Sequence, residues 1–307
     1  MSHHLVHIMR HGSTLRVDRG CLLCTSEGQP EKRIPYADVL AVIVAARGVT
    51  FSSDCLSRLM ESGAVILHCD EKYKPVGKTI GLPYTIHSDV FDAQIARQGT
   101  FSDKLWEKLL RAKLENQAAV LDAAKVTHKL REYLEEDAPE EGNSARHYWS
   151  AYFPLFGRKA PKTREHREAE NPVNQQLNYS YAVMSAILHR SMVAHGLNPQ
   201  LGVHHKFRFK SEPLLYDLLE PWRPVCDFLL LRFRLQNPRR EISEWVKFVA
   251  QALLDFRITT GKGKSINLLN AADRYISSVA DCFAYNNKTE LFVPALSGLY
   301  FEKRTKE

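Results

Sequence analysis

The sequence contains no apolar run longer than the eight residues from Val39 to Ala46. A membrane-spanning helix needs about 20, so no segment is expected to cross a bilayer. The N-terminal Met1-Ser2-His3-His4-Leu5 lacks the basic stretch and apolar core of a secretory signal. These absences lead to the expectation of a cytoplasmic protein without a membrane partner. Cysteine is too sparse for a disulfide scaffold, with six residues at 21, 24, 55, 69, 226 and 282. Cys21 and Cys24 form a CxxC, but no second pair follows at zinc-ribbon spacing and the two flank Leu22-Leu23 in a strand-like stretch. Buried free thiols are expected there rather than a metal centre. Internal repeats and low-complexity tracts are also missing.

What is present suffices for more than one ordinary domain: 307 residues, 44% hydrophobic, with 14 Phe, 12 Tyr and 4 Trp. The net charge of +7 is uneven, because residues 1–90 hold 10 Lys/Arg against 9 Asp/Glu and the rest of the excess falls beyond them. A basic surplus suits a polyanionic partner without specifying one.

The hydrophobic period changes along the chain. Leu5 to Met9 and Thr14 to Thr25 read as β-structure broken by Gly12 and by the turn-rich Ser26-Glu27-Gly28-Gln29-Pro30. Asp38 to Ala45 is a β-branched run with the pattern of a buried strand, Ser53-Asp54 can cap a short helix through Leu56, Leu59 and Met60, and Ala64 to Cys69 returns as a strand. From about residue 90 the period is helical. Leu105, Leu109, Leu114, Ala118 and Leu121 mark a long helix, and a second runs from about Asn174 to Met192 with Gly196 as its C-terminal cap. Leu214 to Glu220, Val225 to Phe233 and Trp245 to Phe256 continue the pattern, and Gly157 to Pro172 reads as a charged surface loop. The expected fold is two-domain: a small β-rich domain over residues 1–85 and a larger all-α domain over 86–307.

Two motifs point to chemistry and fail on context. Met9-Arg10-His11-Gly12 resembles the start of a histidine phosphatase, but that chemistry needs an α/β sandwich of alternating strands and helices, whereas here strands come early and helices late. Gly261-Lys262-Gly263-Lys264-Ser265 resembles the end of a P-loop, yet the glycine required five residues before is Ile258 and no parallel strand precedes it. A basic loop that touches phosphate is the expectation there.

A third constellation lies in the helical half. Glu141 shares a helix face with Ala145 and Trp149 at i, i+4, i+8; Gly202-Val203-His204-His205 follows; and Asp217 and Glu220, at i, i+3, can share another face. Two carboxylates and an imidazole from separate elements suit a hard divalent cation, the imidazole favouring Mn²⁺ without excluding Mg²⁺. Such a set leaves positions open for water and a phosphate oxygen. Pro221 biases Glu220 away from helical backbone angles, so a kink is expected there. Lys206, Arg208 and Lys210 follow closely and are candidates to hold DNA phosphates, as are Arg232, Arg234, Arg239 and Arg240 with less positional support.

The flanking blocks sharpen this. Glu141-Gly142 with Ala145 and Tyr148-Trp149, Asn171-Pro172-Val173-Asn174 with Leu177-Asn178-Tyr179-Ser180-Tyr181, Gly196-Leu197-Asn198-Pro199, and Asp217-Leu218-Leu219-Glu220-Pro221-Trp222-Arg223-Pro224 resemble the CRISPR-associated spacer integrase and endonuclease family. Ile34-Pro35, Phe51-Ser52-Ser53, Lys72-Tyr73-Lys74-Pro75 and Arg111-Ala112-Lys113 with Gln117 fit the same pattern, and Glu-Pro-Trp-Arg-Pro suits the short type II form. The resemblance implies a β-domain that dimerises and a helical catalytic domain holding Mg²⁺ or Mn²⁺. It places the metal on Glu141, His205 (Gly202 plus three, hence not His204) and Glu220. Asp217, Tyr216 and Asn178 are the supporting residues it suggests, and Arg146 joins Lys206, Arg208 and Lys210 as a DNA contact. The implied partners are double-stranded DNA, as prespacer and CRISPR repeat, a second copy of the chain, and the small second CRISPR adaptation protein. The implied reaction is attack of a 3′-hydroxyl on a phosphodiester during spacer acquisition. Two rivals stand beside it: a non-catalytic architectural DNA-binding subunit, and a histidine phosphatase built on Arg10-His11-Gly12.

Overall fold

The computed structural model describes residues 4–82, 87–136, 139–166, 168–208, 211–237, 241–259, 263–286, 290–296 and 298–301, with Lys159 described by its backbone alone. Eight strands come first: β1 (His4–Ile8), β2 (Thr14–Asp18), β3 (Cys21–Thr25), β4 (Lys32–Pro35), β5 (Val39–Val44) and β6 (Thr50–Phe51), then helix α1 (Ser53–Glu61), β7 (Val65–Cys69) and β8 (Pro75–Thr79). They form two four-stranded sheets, ordered β1-β5-β7-β8 and β4-β3-β2-β6. In the first sheet β1, β5 and β7 run parallel, with Val42 paired to both Val6 and Ile66, and β8 closes the edge antiparallel.

All six residues of β5 are buried because both faces of its sheet are covered. Val42, Val44 and Ile66 face Leu15 and Leu22 of the second sheet together with Cys55 and Leu59 of α1. On the opposite face Ala41 and Val65 meet Ala186, while Ile43 and Leu67 join the core of the helical region. Cys21 and Cys24 are free and lie three apart on β3. Strand period two sends them to opposite faces, so they cannot share a ligand. The cap of α1 is Ser52, whose side chain accepts from the Cys55 N–H at 3.2 Å, one residue earlier than expected.

The second region comprises α2 (Ser88–Ala96), α3 (Gly99–Ala123), α4 (Leu130–Glu135), α5 (Glu141–Tyr152), α6 (Pro172–Ala194), α7 (Pro213–Leu219), α8 (Arg223–Gln236) and α9 (Ile242–Asp255). It ends with the pair β9 (Arg257–Thr259) and β10 (Ser265–Asn267) and helix α10 (Leu268–Ala284). A β-region followed by a helical region is therefore the architecture, with one short antiparallel pair inside the helical part. The expected boundary at residue 85 falls in 83–86, outside the described residues. So do Gly261 and Lys262 of the P-loop-like motif. The strands on either side, β9 and β10, pair antiparallel, whereas a P-loop leads from a strand into a helix.

Among the described residues no helix is long and apolar enough to cross a membrane. Helix α6 begins two residues before the sequence pattern suggested, with Pro172 in its first turn and the Asn171 side chain accepting from the Val173 N–H at 2.9 Å. It ends against Gly196, whose φ of +74° is the left-handed conformation a helix C-cap favours.

Candidate active site

Three segments far apart in sequence converge on Lys113 of α3. Its Nζ donates to Glu141 Oε1 at 2.9 Å and lies 2.7 Å from Glu220 Oε2. Glu141 is the first residue of α5, where the helix dipole favours a carboxylate. The buried stripe of that helix is Ser144, Tyr148 and Tyr152, not the half-buried Ala145 and Trp149, so Glu141 stands in line with the packed face at its N-terminal end, where it is only half-buried.

Glu220 follows α7 directly. Pro221 lacks the N–H that would extend the helical ladder, and the chain passes through one 3₁₀ turn, Glu220–Trp222, into α8. The expected departure from helical angles does not occur: Glu220 sits at φ −55°, ψ −46°. The helix tightens there instead of breaking. Asn116, one turn after Lys113, donates to the Pro221 carbonyl at 2.9 Å and pins this turn to α3. Glu220 is buried, with Oε1 accepting from Arg223 Nε at 2.8 Å. Burial pushes its carboxyl up, but the Arg223 guanidinium, the Lys113 ammonium and the neighbouring His205 outweigh that and hold it at about 2. Burial likewise works against the Lys113 ammonium, while Glu220 and Glu141 keep it above the ordinary lysine value.

Asp217 does different work three residues earlier. It is fully buried and accepts from three successive backbone N–H groups, those of Val203 (2.8 Å), His204 (3.1 Å) and His205 (3.0 Å), and from His205 Nδ1 at 2.6 Å. A carboxylate facing Nδ1 fixes the proton there and leaves Nε2 as the nitrogen with a lone pair to offer. The loop is closed from behind by Arg97, which donates to the Gly202 carbonyl at 2.6 Å. A Cβ on Gly202 would meet the His205 carbonyl at 2.5 Å and Pro213 at 2.6 Å, so only glycine fits this cradle.

His204 turns outward. Its ring stacks on Trp106 at 3.9 Å, and its Nε2 is 4.0 Å from Glu141 Oε2. The structure thus brings Glu141 and Glu220 onto one cation and sets His205 beside Glu220. Among the described residues no three His, Cys, Asp or Glu side chains already form a metal cage. The donor set is nonetheless of the right kind for a hard divalent cation, two carboxylates gathered from separate elements and an imidazole held by Asp217 in the ligating tautomer.

The supporting residues divide. Tyr216 lies in the same shell, its ring 6.4 Å from that of His205. Asn178 does not reach the carboxylates: its Oδ1 accepts from Arg164 at 2.6 Å and its Nδ2 donates to the Glu165 carbonyl. Arg164 is therefore no surface residue. It packs on Tyr181 at 5.3 Å, where Arg223 also packs at 4.7 Å, and the Tyr181 hydroxyl donates to the buried Asp227 at 2.5 Å. Burial raises Asp227 to about 6 despite Tyr181 and Tyr148 donating to it. Asn178 touches the site only through this relay.

Arg146, Lys206 and Arg208 are exposed, with Phe207 between the last two 61% exposed. Lys210, Arg239 and Arg240 lie outside the described residues. Arg234 is turned inward, donating to Gln176 Oε1 at 2.8 Å. His11, the phosphatase candidate, sits in a turn where its Nδ1 accepts from the Arg47 N–H at 2.9 Å, which ties up the nitrogen as a structural acceptor.

Residues 6–240 match the family model for CRISPR associated protein Cas1. The chain belongs to the Cas1 family. Among Cas1 relatives, the CRISPR-associated endonuclease Cas1 of Neisseria meningitidis is 29% identical over 301 residues, covering 94% of this chain and 95% of that protein. The CRISPR-associated endonuclease Cas1 1 of Francisella tularensis subsp. novicida is 25% identical over 94% of this chain and 99% of its own. In fold, a Cas1 protein from Thermotoga maritima superposes with TM-score 0.77 at 17% identity over 95% of this chain and 100% of that one, and a casposase bound to an integration product with TM-score 0.79 at 16% identity over 95% and 93%.

Sequence reasoning did not assign Lys113 or Arg223 a role, although both stand inside the quoted blocks. Arg223 carried a local signal, lying i+3 from Glu220. Lys113 carried none, because its partners lie on other helices.

Proposed function

We propose that this Cas1-family chain is a divalent-metal-dependent DNA endonuclease and strand transferase that inserts new spacers into a CRISPR array. The observation that carries this reading is the gathering of Glu141 and Glu220, from two separate elements, onto one cation beside an imidazole oriented by Asp217. Relatives bearing the name endonuclease support it. Glu141, Glu220 and His205 Nε2 would hold Mg²⁺ or Mn²⁺, which when bound polarises a phosphodiester and steadies the departing oxygen. Arg223 keeps Glu220 aimed, and Asp217 keeps His205 in the ligating tautomer. Lys206, Arg208 and Arg146 contact DNA phosphates and set its register without reading sequence. The substrates are duplex DNA with a free 3′-hydroxyl and the CRISPR repeat. The working unit is a homodimer with the small second adaptation protein; a solved complex whose chain shares this fold contains Cas1 and Cas2.

The test is joining of a 3′-hydroxyl duplex into a repeat-bearing plasmid with Mg²⁺, Mn²⁺ or EDTA. Glu141→Ala, His205→Ala and Glu220→Ala should each lower joining on the order of a hundredfold or more and leave duplex binding intact. Full activity in any one of them would remove that residue from the ligand set. Full activity in all three, or in EDTA, would overturn the metal-dependent reading, and wild type that binds duplex without joining it would leave the architectural one.

A further inference from the structure

We propose that Lys113 is the resident counter-cation of this site: its ammonium binds Glu141 and Glu220 together in the cation-free protein and vacates the seat between them when a divalent ion enters. This rests on the reading that the two carboxylates hold a metal.

The geometry makes the exchange necessary. Nζ lies 2.9 Å from Glu141 Oε1 and 2.7 Å from Glu220 Oε2, and the Lys113 side chain is only 8% exposed. A divalent ion on those oxygens would sit about 2.0–2.2 Å away, placing two cations in contact at a buried, weakly screened position. One must leave. Glu220 does not follow, because its other oxygen is anchored by Arg223 at 2.8 Å. The exchange is therefore confined to the side facing Glu141 and His205.

The arrangement also explains why no three-ligand cage stands preformed among the described residues. The ammonium spaces the carboxylates at hydrogen-bonding distance from itself, wider than a metal would hold them. Without it, two like charges gathered from separate elements would repel and spread in the cation-free state. Lys113 thus keeps the site folded while it waits, and its charge opposes the ion it is exchanged for.

Mn²⁺ affinity, by electron paramagnetic resonance or calorimetry, and melting temperature in EDTA and in Mn²⁺ would be measured on the full chain. Wild type, Lys113→Met, Glu141→Ala and Lys78→Met would be compared, Lys78 being a second, half-buried lysine whose partners are Glu212 and His189. Lys113→Met is expected to bind Mn²⁺ at least about tenfold tighter, to melt lower than wild type in EDTA, and to recover most of that loss in Mn²⁺. Lys78→Met should lose the same in both conditions with affinity unchanged. Unchanged or weaker Mn²⁺ binding by Lys113→Met, or equal melting losses with and without the ion, overturns the exchange. Wild type that binds no Mn²⁺, or that binds it equally after Glu141→Ala, overturns the metal reading instead. If Lys113→Met does not fold, Lys113→Gln carries the same comparison. A Mn²⁺-soaked wild-type crystal in which Nζ still touches both carboxylates overturns the proposal directly.

Discussion

Lys113 is buried and Lys78 is largely withdrawn from solvent, and their surroundings differ in which partner is shared. At Lys78 a single carboxylate is shared: Glu212 takes the ammonium on Oε2 at 2.5 Å and the His189 imidazole on Oε1 at 3.1 Å, joining β8 to α6 and to the start of α7. At Lys113 the cation is shared and the carboxylates are two. The first cluster leaves no carboxylate oxygen of Glu212 without a side-chain cation or donor. The second leaves Glu141 Oε2, among the described residues, with only His204 at 4.0 Å. A carboxylate shared by two donors fastens elements together; a cation shared by two carboxylates marks a seat that another cation can take.

The sharpest way to break this contrast is at its structural member. Lys78→Met should destabilise the fold by about 3 kcal/mol, since it leaves a half-buried carboxylate facing an imidazole without its ammonium. Denaturant unfolding at neutral pH measures this, and an undiminished midpoint would show that the cluster fastens nothing. Next in size is acid sensitivity. Burial raises Glu212, but His189 and Lys78 overcome it and hold the carboxyl at about 2 against an ordinary 4.5. A depressed carboxylate stabilises the fold fully above its unfolded value and loses that contribution as pH falls from about 4.5 towards 2, here about 3 kcal/mol in all. Glu212→Gln should flatten the stability profile across that window, and an unaltered slope would contradict the assignment.

Asp217→Asn sharpens the contrast from the other side. It keeps the shape but cannot serve the three backbone N–H groups and the His205 Nδ1–H together, and should weaken Mn²⁺ affinity about 10- to 100-fold. Titration with the ion reads this directly. The smallest effect belongs to the rim: Lys206→Ala should lower the salt slope of duplex binding by about one and leave metal affinity alone.

How much of this was legible in the sequence depends on range. The passage from period two to period 3.6 near residue 90, the buried strand around Val42 and the long helix through Leu114 are local patterns; the strand lies within a residue of its expected limits, while the helix begins at Gly99, six residues before the first marker Leu105. Helix α10 carries an equally clear apolar face, but it follows the Gly-Lys-Gly segment, and the sequence reading ended at Phe256. Glu220 was misjudged in backbone because the bias before proline is statistical, and tertiary contact with Asn116 and Arg223 outweighed it here. Asn178, named as a supporting residue, meets Arg164 and the Glu165 carbonyl, since block membership says nothing about which side of a helix touches which neighbour.

The sequence by itself determined the order of β-region and helical region, the family, and the identity of two carboxylates and a doubled histidine as the groups worth testing. Those follow from side-chain period and from short motifs, which are properties of neighbours along the chain. Only the tertiary structure decided that Asp217 organises the Gly202–His205 loop while Glu220 faces a cation, and that this cation is Lys113. Such sharing is set by the packing of α3 against α5 and the α7–α8 junction, a contact between distant segments that no local pattern records.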